Sequence, residues 1–205
     1  LIKSITNVFI NKNYFFLLGC FFAALGIALY SESLLRGEIA KVVVLFYLCP
    51  IWGTVFAKFF LKHKFTLKRI FSIILGIIGL EIIIGFDKGI ILPSTIVEWI
   101  ALLAGIVWAI SMTLFNLAKT TSGIEKTSLT AFFIPFIYLF LCLIPGGRNL
   151  IMSNNLLSID TIYIWIVLFA IIWLLPSILL TFFSVEVLDP GRINILLAFE
   201  VAVGF

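Results

Sequence analysis

Ile70–Phe86 reads IFSIILGIIGLEIIIGF, and Ile159–Leu175 reads IDTIYIWIVLFAIIWLL. Each run is apolar on every face, with no polar stripe at helical or strand spacing. A water-soluble element of either kind shows one. Lipid offers no partner for backbone N–H and C=O groups, so a chain of such runs crosses as helices or as a closed barrel. Barrel strands alternate apolar and polar over about ten residues, and these runs do not. With 63% hydrophobic and 12% charged residues, 205 residues are too few to hide this surface from water in a core. The fold class expected is an all-α polytopic membrane protein.

Working outward, seven stretches are roughly long enough to span a bilayer at about 1.5 Å per residue. They fall near 14–35, 39–61, 67–86, 96–118, 126–145, 159–187 and 190–205. The chain starts at Leu1 rather than Met and stops at Phe205 inside an apolar run, so it reads as a fragment truncated at both ends. Residues 1–13 read as a joint from an upstream helix rather than a signal peptide.

The basic residues sort by joint. One side of the membrane takes Lys3, Lys12, Lys58, Lys62, Lys64, Lys68, Arg69, Lys119, Lys126 and Arg192, and the other takes Arg36, Lys41, Lys88 and Arg148, ten against four. The positive-inside bias puts the 62–69 joint in the cytoplasm. The net charge of +4 follows from this topology, and no nucleic-acid partner is expected. His63, the one histidine, lies in the basic joint as a solvated residue. Cys20, Cys49 and Cys142 fall inside spans as small apolar fillers, with no CxxC framework. No metal, cofactor or catalytic residue is expected. A composition rich in Ile and Phe suggests an AT-rich bacterial genome, hence a bacterial inner (cell) membrane.

A weak internal repeat has direction. Ser33–Gly53 (SLLRGEIAKVVVLFYLCPIWG) aligns with Ser184–Gly204 (SVEVLDPGRINILLAFEVAVG), pairing Ser33 with Ser184, Lys41 with Arg192, Leu45 with Leu196 and Gly53 with Gly204. The two copies are five spans apart, an odd number, so they point oppositely through the membrane. Inverted repeats of this kind underlie many secondary transporters.

The stretch from Leu45 to Thr54 (LFYLCPIWGT), then Phe60–Lys64, Thr66–Arg69 and Leu75–Leu80, resembles the fourth and fifth helices of an EamA-type permease of the drug/metabolite transporter superfamily. Trp99–Ala109 resembles the start of the second repeat of that family. Asp189–Ile193 and Leu197–Val201 resemble its penultimate helix. The resemblance implies ten helices as two inverted five-helix repeats, of which this chain would hold about helices three to nine. Residues 1–88 would then end the first repeat, with three spans, and 89–205 would form an incomplete second repeat with four. The chain departs from the family at Lys62–His63–Lys64, where an acidic residue is common, and at Val201, which stands opposite Pro50.

Six residues are candidates for binding the permeant: Tyr47, Pro50, Trp52, Trp108, Trp173 and Glu200. Pro50 at mid-span removes a backbone bond, bends the helix and frees a carbonyl that can line a cavity. Pro135 and Pro176 sit similarly in spans five and six. Tyr47 and Trp52 flank Pro50; Trp108 and Trp173 lie inside spans four and six. Glu200 lies about 15 Å into the last span at helical rise. An ionised carboxylate there is costly, so it faces a cavity, pairs, or stays protonated, and it is the candidate for coupling protons to transport. Gly76 and Gly79 read as close-packing positions. Glu32, Glu38, Glu98, Glu125 and Glu186 sit at or near joints, where solvation is the default.

Two classes compete with a third behind. A secondary transporter works by alternating access on small metabolites, amino acids or drugs, most simply as an exporter. No Walker motif is present to drive it by ATP. A non-transporting membrane subunit or scaffold has the same gross pattern. A membrane-embedded enzyme needs a Ser/His pair, an Asp pair or HExxH within the bilayer, and His63, Asp87 and Asp160 are wrongly placed for these. The partners expected are the bilayer and a small-molecule permeant, with protons as a candidate coupling ion; oligomeric state is open.

Overall fold

The computed structural model describes residues 14–61, 70–71, 74–75, 78–79, 93–118, 121–143, 164–165, 167–188, 192–193 and 195–196. The regular structure among these residues is entirely helical, and five helices are long and apolar enough to cross a membrane: Tyr14–Arg36, Ile39–Leu61, Ile96–Leu117, Gly123–Leu141 and Val167–Val187. These coincide with five of the seven expected spans. The described pairs within 67–86 are helical, and most of the expected span 190–205 lies outside the described residues.

We label the helices α1 (Tyr14–Arg36), α2 (Ile39–Phe46), α3 (Cys49–Leu61), α4 (Ile96–Leu117), α5 (Gly123–Leu143) and α6 (Leu175–Val187). The second span is α2 and α3 joined by a break at Tyr47–Leu48. A π-helical segment, Ala170–Leu174, leads into α6, with Leu175 N–H bonded to the carbonyl five residues back at Ala170.

α4 is central. It packs on α1, α2, α3 and α6, and most extensively on α1. Small residues make the α1–α4 approach possible, since helices in lipid gain stability from close van der Waals contact rather than from expelling water. A β-carbon on Gly26 would sit 3.4 Å from the Trp108 backbone nitrogen, and one on Gly19 would meet the Phe115 ring at 2.7 Å. The Ser111 hydroxyl donates to the Gly19 carbonyl across the same seam at 2.9 Å. A β-carbon on Gly79 would meet nothing within 4 Å among the described residues, and Gly76 lies outside them.

Two polar belts mark opposite ends of the bundle. At the first, Glu98 at the start of α4 accepts from Ser94 N–H (2.6 Å) and Ser94 Oγ (3.0 Å), while Thr95 Oγ1 caps the helix by accepting from Glu98 N–H. Lys41 Nζ from the start of α2 lies 3.6 Å from Glu98 Oε1, and Arg36 at the end of α1 pairs with Glu32. At the second belt, Asn116 Nδ2 near the end of α4 donates to the Leu188 carbonyl just past α6, and Lys126 Nζ lies 3.9 Å from Glu186 Oε1. Glu98 and Asn116 are five turns apart on α4, about 27 Å at helical rise. The joint after α1 and the residue after α6 therefore lie at opposite ends of the bundle. The solvated state expected of Glu32 and Glu98 does not hold: both are buried, with Arg36 replacing water at Glu32 and Ser94 and Lys41 replacing it at Glu98.

Candidate functional site: an aromatic layer at a broken span

The break in the second span follows from Pro50. Proline has no N–H to give the carbonyl four residues back, which belongs to Phe46. α2 accordingly ends at Phe46, with Tyr47 N–H closing its last turn on Val43 O at 2.9 Å. Ile51 N–H then bonds Leu48 O at 3.0 Å, a tighter turn that starts α3. The freed Phe46 carbonyl faces Gly105 on α4, where an added β-carbon would stand 2.6 Å from the oxygen. That carbonyl packs on a neighbouring helix rather than opening on a hollow, and only glycine at 105 allows it.

Aromatic rings gather around this break. Tyr30 stacks on Phe46 at 4.2 Å between centroids, Tyr47 meets Phe46 edge-on at 5.4 Å, and Trp108 lies 6.4 Å from Phe46. Trp108 in turn stacks on Phe182 of α6 at 6.1 Å, and Phe182 meets Phe115 edge-on at 5.0 Å. Lys126 Nζ sits 5.8 Å above the Phe115 ring, within cation–π range. One continuous series of rings thus runs from the broken span to the second polar belt.

The candidates fare unequally. Tyr47 and Pro50 belong to the break itself, and Trp108 sits beside it, buried. Trp52 is in the first turn of α3. The indole N–H groups of Trp52 and Trp108 and the hydroxyl of Thr54 are buried with no hydrogen-bond partner among the described residues. Leaving a buried donor unpaired costs about 1–3 kcal/mol, so such groups can take an acceptor that the described residues do not supply. Trp173 lies away from this layer, in the π-helical segment, and is 66% exposed. Glu200 lies outside the described residues. No group of three or more metal-ligating side chains occurs among the described residues. Cys20 and Cys49 are buried and form no disulfide among the described residues.

Lys126 was not legible as a site residue. Three residues into α5, it reads as a solvated flank of a basic joint. Its side chain is instead wholly buried where α1, α4, α5 and α6 meet. Its backbone carbonyl accepts from the Cys20 thiol at 3.7 Å, and its Nζ has no hydrogen-bond acceptor among the described residues. The preceding residue, Glu125, closes a capping box with Ser122, through Ser122 N–H to Glu125 Oε2 at 3.0 Å and Glu125 N–H to Ser122 Oγ at 3.3 Å.

Residues 3–85 match the family model of the EamA-like transporter family. No curated protein and no solved structure matches the chain.

Proposed function

We infer that this integral membrane protein, EamA-like over residues 3–85 and thus a transporter of the drug/metabolite superfamily, is a secondary carrier working by alternating access. Its permeants are small metabolites, amino acids or drugs, moved outward across a bacterial inner membrane. The observation that carries this reading is the broken second span, whose Pro50 kink brings Tyr47 and Phe46 beside the buried Trp108. A bent helix with aromatic faces and unpaired indole N–H donors suits a mostly neutral molecule with an apolar body and an acceptor group.

Residues 1–88 are the end of the first repeat and 89–205 an incomplete, opposed second repeat in this reading, and the family match ending at residue 85 supports a division there. The end carrying Lys126 and Glu186 faces the cytoplasm. Tyr47, Pro50, Trp52 and Trp108 contact the permeant, with Trp173 and Glu200 as further contacts and Glu200 as the proton-coupling group.

Metabolite profiling of cells with and without the gene tests the function. The permeant accumulates inside cells that lack it, and the same compound is moved by the purified protein in proteoliposomes. Identical profiles, together with inert proteoliposomes, overturn the assignment. Glu200→Gln tests coupling separately: a pH dependence of flux identical to wild type removes protons as the driving ion through this residue.

A further inference from the structure

The Val167–Val187 span is packed on the bundle at its α6 end and exposed over much of its other end. Phe182 and Val185 are buried against the bundle, whereas Val167–Phe169 and Ile171–Ser177 are exposed. The tie at the held end has several parts. Glu186 pairs with Lys126 of α5, and the Leu188 carbonyl accepts from Asn116 of α4. Phe183 lies so close to the start of α5 that a β-carbon on Gly123 would meet its ring at 2.8 Å. Between the free and held parts stands the π-helical segment, followed by Pro176, which cannot donate to the carbonyl at Ile172. A π-turn running into a proline is a place where a helix bends.

We propose that Lys126–Glu186 and Asn116–Leu188 form a latch that holds the end of α6 closed on the bundle, and that its release lets Leu175–Val187 swing about the 170–176 hinge. The inference rests on the alternating-access reading and adds its moving part. Lys126 suits a latch better than a permanent strut. A wholly buried ammonium whose carboxylate partner stands at 3.9 Å, beyond hydrogen-bond length, is incompletely compensated for its lost water. That keeps the closed state within reach of opening. The Trp108–Phe182 stack joins the latch to the broken span, so a permeant that displaces Trp108 also loosens α6.

The test measures separation without needing transport. Spin labels are placed at Thr121→Cys and Val187→Cys, with Cys20, Cys49 and Cys142 replaced by alanine, and the protein is reconstituted in lipid nanodiscs. Val187 is 86% exposed and accepts a label without disturbing the core. Pulsed electron resonance then gives the distance distribution between α5 and α6. Glu186→Gln and Asn116→Leu each raise the population of the longer distance relative to the shorter by roughly fivefold or more. Far-ultraviolet dichroism at the wild-type level confirms that both variants are folded. Unchanged distributions in the two folded variants overturn the latch. If the wild-type protein still transports in that case, alternating access stands without it. If the distance widens while no variant or wild type moves any permeant, the latch stands and the transport reading falls.

Discussion

The carbonyl oxygen of Phe46 lies against the α-carbon of Gly105, so close that a β-carbon there would approach it to 2.6 Å. Pro50 creates this relationship by withholding the N–H that the carbonyl would otherwise accept. A carbonyl without its helical partner is costly in lipid, and here it is shielded by a neighbouring helix that has no side chain to interpose. The kink of one span and the glycine of another are one device.

The first prediction compares glycines. Gly105→Ala forces a carbon into backbone atoms that have no flexible end to yield, and overpacking of this kind costs about 1–3 kcal/mol. Gly79→Ala meets nothing within 4 Å among the described residues and improves helix propensity. Thermal unfolding in detergent therefore shows a lowered midpoint for Gly105→Ala and an unchanged or raised one for Gly79→Ala. Equal midpoints would mean that the Phe46–Gly105 contact is not held in the membrane protein.

Pro50→Ala restores the missing N–H and lets the second span run straight through Tyr47 and Leu48. The variant gains a backbone bond and loses the bend that brings Tyr47 and Phe46 to Trp108. Stability holds or rises, while initial transport rate falls by roughly tenfold or more, a barrier change of about 1.4 kcal/mol. Transport at the wild-type rate would separate the break from function.

Pro50 shows what was legible in the chain. A proline inside an apolar run announces a break by its chemistry alone, and the break falls within one turn of it. The spans were legible for the same kind of reason, because lipid leaves the backbone no alternative. Lys126 and Glu98 were not legible. Each stands within a turn of a helix start, where solvation is the ordinary state, and only the arrival of other helices buries them. The pattern of one helix says which of its residues share a face; it does not say which neighbour comes to that face. The π-turn at Ala170–Leu174 was hidden differently. That run is apolar all round, so an extra residue in the turn leaves no polar stripe to fall out of phase.

Trp108→Phe separates the indole N–H from the ring. The smaller ring keeps most of the packing against Phe46 and Phe182, and removing the donor leaves no buried polar group unpaired at that position. Unfolding temperature stays near wild type, and the KM for an acceptor-bearing permeant rises by roughly fivefold or more, the worth of one hydrogen bond. Trp108→Leu also removes the stack on Phe182 and lowers stability too. An unchanged KM in Trp108→Phe would assign the residue to packing alone.

The membrane threading is tested most directly at Arg36 and Thr121. Arg36 ends α1 beside Glu32, at the belt that holds Lys41 and Glu98; Thr121 stands between α4 and α5, at the belt that holds Lys126 and Glu186. The five-turn separation along α4 sets these belts about 27 Å apart at helical rise, close to the thickness of a bilayer's hydrocarbon core. Cysteines at 36 and 121, in a background without Cys20, Cys49 and Cys142, are therefore labelled by a membrane-impermeant maleimide from opposite sides. In the orientation proposed from the basic residues the 121 side is cytoplasmic, so intact cells are expected to label Arg36→Cys and inverted vesicles Thr121→Cys. Labelling of both from one face would break the alternation on which the opposed repeats, and the carrier built from them, depend.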